Sequence, residues 1–159
     1  MRLAWVLLAV PALAACGSSD TKPKAQPAPP QQPRLSQQQF ANAGNLVCLH
    51  SDRRVYRLGA LTRDPGGWAK TASAARVGIA EMKKLRPPLS DQVGFDHMIV
   101  LAQKLADGIA QVHAARVKKN YAAARKAQFA ATDVDTQIHR QARRIGLTFC
   151  QQLLTNWPA

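Results

Sequence analysis

The chain has 159 residues, 22 Lys and Arg against 9 Asp and Glu, a formal net charge of +13, 47% hydrophobic residues and 6% aromatic residues. That length holds one domain of ordinary size and excludes a multidomain enzyme. With so few rings, the core must be built from Ala, Leu, Val and Ile packed at close range, which favours helices.

Met1-Arg2 carries a positive charge, Leu3 to Leu13 is largely apolar, and Ala14 and Ala15 follow directly. This is the pattern of a secretory signal, predicted over residues 1–15. Eleven residues of helix reach only about 16 Å, about half of a ~30 Å hydrocarbon core, and Pro11 would break a spanning helix. Leu13-Ala14-Ala15-Cys16 resembles the lipobox of bacterial lipoproteins, in which the Cys thiol is diacylglycerated and the chain is cut just before it. The resemblance implies a lipid anchor on Cys16, an extracytoplasmic location and attachment to a membrane. Gly17 stands where Asp would be the familiar inner-membrane retention signal of some Gram-negative bacteria.

Gly17 to Leu35 holds five of the ten prolines with Gln, Ser and Lys and no aromatic residue, so residues 16–35 are expected to be the lipidated Cys and a disordered linker. Extended at ~3.1 Å per residue, this segment could reach about 60 Å. Residues 36–159 are then the folded domain. Ser36-x-x-Gln39 has the form of a capping box and predicts a first helix running to about Leu61, with Phe40, Gly44, Val47, Ser51, Val55 and Leu58 on one stripe and Cys48 beside it. Asp64-Pro65 predicts the next start, and Trp68, Ala72, Ala75, Ile79, Met82 and Leu85 continue until Arg86-Pro87-Pro88 stops the helix. Trp68 and Met82 read as core residues.

Ser90 is expected to cap a third helix with Met98, Leu101, Leu105, Ile109 and Val112 inside, ending near Lys118. Asn120 is the turn signal before a fourth, striped by Ala124, Ala127, Ala131, Val134, Ile138, Ala142 and Ile145, with Gly146 as its C-cap. Four long amphipathic segments with short connections predict an all-α, up-down-up-down four-helix bundle.

If Cys16 is lipidated, Cys48 and Cys150 remain, and outside the cytoplasm an oxidised pair is the default. Closing a loop of that length is worth up to ~4.7 kcal/mol in the chain-entropy model. A metal pair or a redox dithiol would need C-x-x-C spacing or His at short range, which neither has. A flush bundle resists this bond, because Cys48 lies about 18 Å up a helix begun at Ser36 while Cys150 belongs at the bottom of the fourth. Either the chain after Gly146 turns back up along the first helix, or the helices are staggered and the turn between the third and fourth projects well beyond the start of the second. The Cys in the first helix, Leu85-Arg86-Pro87-Pro88 and Gly146-Leu147-Thr148-Phe149-Cys150 together resemble small Ala- and Arg-rich lipoproteins of actinobacteria that have no assigned function. That resemblance spans roughly Phe40 to Cys150 and implies architecture without chemistry.

No catalytic set stands out. Glu81 is the single Glu, which removes the di-iron carboxylate bundle; His50, His97, His113 and His139 lack metal spacing; and no phosphate loop or nucleophile elbow is present. No cofactor or metal is therefore expected. Asp96 and His97 are adjacent, so they point to different helix faces.

Charge is uneven. The pole shared by the first helix's end, the second's start and the turn between the third and fourth carries Arg53, Arg54, Arg57, Arg63, Lys70, Arg116, Lys118, Lys119, Arg125 and Lys126 against Asp52 and Asp64. Either these are solvated helix faces, or they attract an anionic envelope polymer, lipid headgroups or an acidic protein, with Arg116, Lys118, Lys119, Arg125 and Lys126 as the contact cluster. Nucleic acid is not expected for an exported chain whose rings do not interleave with its basic runs. The sequence thus predicts a non-catalytic binding or spacer module. Its alternative is an exported enzyme or small-ligand carrier whose site forms only in the folded bundle. A solid Ala/Leu core favours the first, and a polar cavity holding two or more His and Asp side chains favours the second.

Overall fold

A computed structural model describes residues 33–58 and 65–152. The signal, Cys16, most of the linker, the expected cap Asp64, Leu61 and Arg63 lie outside the described residues. Four helices, α1 (Gln37–Arg57), α2 (Pro65–Met82), α3 (Gln92–Val117) and α4 (Tyr121–Arg144), pack as an antiparallel four-helix bundle, and 3-10 turns occupy Leu89–Asp91 and Phe149–Gln152. No described helix is long and apolar enough to cross a membrane.

The helix ends follow from local chemistry. Ser36 Oγ accepts from the Gln39 N–H at 3.3 Å while Gln39 Oε1 accepts from the Ser36 N–H at 2.9 Å, a reciprocal capping box. Asn120 Oδ1 accepts from the Ala123 N–H at 3.0 Å and caps α4. Ser90 does not cap α3. It lies inside the 3-10 turn, and α3 starts two residues later after Asp91, whose side chain makes no cap bond. The buried Pro87 and the extended Pro88 (φ −53°, ψ 153°) force a tight turn before the helix can begin. Nor does α1 run as an α-helix beyond Arg57, since Leu58 donates to Val55 O in a tightened last turn.

The linker boundary shifts as well. Leu35 donates to Arg86 O at 2.9 Å and packs against the core, and Arg34 Nη1 reaches Pro87 O (3.0 Å) and Gln92 Oε1 (2.7 Å). The bent chain between α2 and α3 offers carbonyls that no helix uses, and Arg34 and Leu35 satisfy them.

Aromatic residues anchor the lower end of the core, where Phe40 and Phe95 meet edge to face with centroids 5.5 Å apart. Trp68, 1% exposed, anchors the upper end. Neighbouring helices touch through small residues: Gly78 lies against Ser51 where α1 meets α2, and Gly108 lies against Ala131 where α3 meets α4. These contacts set the heights. Gly78 is about 20 Å from the start of α2, whereas Ser51 is only about 9 Å from the end of α1, so α2 overshoots α1 by about 11 Å. The same reckoning leaves α2, α3 and α4 nearly flush at that end.

Among the described residues, α1 and α4 make no direct backbone approach; the Phe149–Gln152 turn lies between them and contacts both. Gly146, at φ 76°, directs the chain there. Its N–H bonds Arg143 O (3.2 Å) and the Leu147 N–H bonds Ala142 O (2.9 Å), the double bond of a Schellman ending, which a left-handed glycine adopts without Cβ strain. The chain then climbs α1. Leu147 is fully buried against Gly44, where a Cβ would stand 2.5 Å from the Leu147 Cδ2; the Phe149 N–H donates to Asn45 Oδ1 at 2.9 Å; and Cys150 is bonded to Cys48 with Cα atoms 5.0 Å apart. Of the two ways to bring the cysteines together, the structure takes the return along α1.

Because this bond closes a loop across a sequence separation of 102, Cys48→Ala is expected to cost roughly 2–5 kcal/mol. Thermal melts in non-reducing buffer should show a large fall in Tm, with reductant adding nothing further to the variant. A variant melting with the oxidised wild type would contradict the structure.

Candidate functional site

The α3–α4 turn is the first candidate. α3 ends with Lys119 at φ 55°, its N–H on Arg116 O and that of Asn120 on Ala115 O, the same ending as at Gly146 but with lysine in the left-handed position. Lys118, Lys119, Arg125 and Lys126 are all exposed around it. Residues 108–132 contain no Asp or Glu, so no local acid neutralises them. Tyr121 and Phe129 are 69% and 67% exposed, and with Arg125 they fall at four-residue spacing on one outward face of α4. The tip and the α4 face just below it therefore join cations to exposed rings.

Arg116 does not share that exposure. Its guanidinium lies 4.9 Å from the centroid of the buried Trp68 ring, so it packs the start of α2 onto the end of α3. Arg54 also departs from the basic pole. It forms an ion pair with Glu81 at 2.6 Å, and this hydrogen bond holds the Glu81 carboxyl below its ordinary range. Because α1 stops short, Arg57 sits about 11 Å and Arg53 about 17 Å below the tip. Partial burial pushes the Asp52 carboxyl up.

The second candidate lies inside. Between the helices is a pocket of about 100 Å³, partly open to solvent and walled by residues that include Ala75, Met82, Met98, Ala102, Ile109, Ile138 and the disulfide. Small residues at Ala75, Gly78 and Ala102 leave the space, and two methionines border it. Ser51 and Thr71 are polar members of the lining, and Asp135 is its single charged residue. Thr71 Oγ1 donates to Gly67 O at 3.0 Å. Asp135, 8% exposed, has its Oδ1 at 3.2 Å from His139 Nε2, yet neither atom is in hydrogen-bonding geometry.

The core is thus neither solid nor polar: one carboxylate faces an apolar space. His50 and His97 are exposed, and among the described residues no three His, Cys, Asp or Glu side chains gather to hold a metal. The Asp135–His139 pair escapes a search for short metal spacing. Its signal is present in the stripe, because Asp135 falls four residues after Ala131 and three before Ile138, on the buried face. No family model, curated protein or solved structure matches the chain.

Arg116→Gln is expected to lower stability by about 1 kcal/mol through loss of the stack on Trp68, whereas Lys118→Gln should stay within about 0.5 kcal/mol of wild type. Urea unfolding of both variants checks this, and equal shifts would return Arg116 to the solvated surface.

Proposed function

We propose that the protein is a lipid-anchored module of the cell envelope, attached through Cys16, that holds an anionic envelope polymer at its α3–α4 tip. The observation that supports this reading best is the placement of the tip. The chain enters the bundle at Leu35, beside Arg86 and the start of α3, and the 26-residue α3 carries Lys118 and Lys119 about 40 Å away. A tether at the entry end leaves the opposite end free for a partner.

Four exposed cations with no acid among them attract a polyanion over about a Debye length, 8 to 10 Å at physiological salt. Tyr121 and Phe129 add apolar contact that salt does not screen. The role is binding or spacing, without catalysis.

The test compares two variants of equal net charge: Lys118, Lys119, Arg125 and Lys126 all to Glu, and Lys83, Lys84, Arg140 and Arg144, exposed at the other end, all to Glu. Full-length protein in nonionic detergent is run on immobilised heparin or teichoic acid through a salt gradient. The tip variant is expected to elute far earlier than the other, with helicity retained in both. Elution together would end the tip reading. Cys16→Ser should remove the acyl mass and release the chain from membranes, and normally processed wild type without acyl mass would end the anchor.

A further inference from the structure

We propose that the partly open pocket between the helices is a binding site for a small neutral molecule with an apolar body and one hydroxyl group, the hydroxyl donating to Asp135. This goes beyond the tip reading and does not depend on it. A space of about 100 Å³ is far larger than one water requires and smaller than the ~150 Å³ apolar cavity that accepts benzene in another protein, so a body of benzene's size is the upper limit for the occupant, its hydroxyl group lying outside that body. Met82 and Met98 border the space with flexible, polarisable side chains that adjust to an occupant's shape.

The walls select an apolar body, and the carboxylate selects the head. Asp135 Oδ1 is buried and has no hydrogen bond, although His139 Nε2 lies 3.2 Å away. A buried carboxylate oxygen with unused acceptor capacity calls for a donor, and Asp135 is a wall residue of the pocket from which one can come. A hydroxyl suits this position better than an ammonium. The chain carries +13 overall, the imidazole already stands beside the carboxylate, and an ammonium would bring a full charge into an apolar space.

Phenol and benzene are the probes, titrated into the full-length protein labelled with ¹³C-methyl methionine, so that Met82 and Met98 report directly from the cavity wall. An apolar cavity that leaves the hydroxyl unpaired binds phenol more weakly than benzene. A cavity with Asp135 as acceptor reverses the order. Both probes are expected to shift the Met82 and Met98 signals saturably, with phenol binding about tenfold tighter. Asp135→Ala should restore the preference for benzene, and Ala102→Leu, which fills the space without touching Asp135, should abolish both titrations while the bundle stays folded. Absence of a saturable shift at Met82 and Met98 with either probe, or phenol binding no tighter than benzene in the wild type, overturns the proposal.

Discussion

The return of the chain along α1 is the contact on which the rest of the bundle depends. α1 packs on α2 but makes no direct backbone approach to α4, so the fourth side of the bundle would be open. The segment after Gly146 closes it. Leu147 fills the space over Gly44, Asn45 takes the Phe149 amide, and Cys150 makes the bond to Cys48. Each of these needs the one before it: a side chain at Gly44 displaces Leu147, and without Leu147 in place the amide and the thiol have no defined height on α1. The chain-entropy gain of the disulfide adds to a geometry that local packing has already chosen.

The same strap shapes both candidate sites. Cys48 and Cys150 are among the residues that line the pocket, so the space beside Asp135 is bounded on one side by the bonded pair that secures α1. The strap also secures α1 at the low height that the contact of Gly78 with Ser51 sets, from which α2, α3 and α4 project. The projecting end carries the turn at Lys118 and Lys119 with Tyr121 and Phe129 nearby. The two sites lie at different heights and involve different chemistry, one screened by salt and one sheltered from it.

The helices were legible because period, caps and breakers agree. Ser36 with Gln39, Asn120, Gly146 and the Pro87-Pro88 stop each carry a local mechanism that tertiary structure did not override. Ser90 failed as a cap because Pro87 and Pro88 bend the chain too tightly for the helix to start beside it. Arg34 and Leu35 read as linker because a docking contact with carbonyls more than fifty residues away leaves no trace in local composition. The stagger of α1 was also hidden. It comes from close contacts such as Gly78 on Ser51, and small residues in a stripe do not announce which partner they meet. At the tip, charge count alone placed Arg116 with its neighbours, whereas Trp68 draws it inward. Asp135 does not stand out in the sequence, because a carboxylate interrupting an apolar stripe carries weight only once the space opposite it is known.

Hydrogen exchange of the full-length protein before and after reduction measures the strap's role most directly. If the strap holds α1 in the bundle, reduction should accelerate exchange of the α1 amides around Val47 to Ser51 at least about tenfold more than that of amides around Ile109 and Ala131, where α3 and α4 pack on each other. Equal acceleration in both regions, or none in α1, would show that α1 is held by α2 alone and would contradict the central role of the Cys48–Cys150 return.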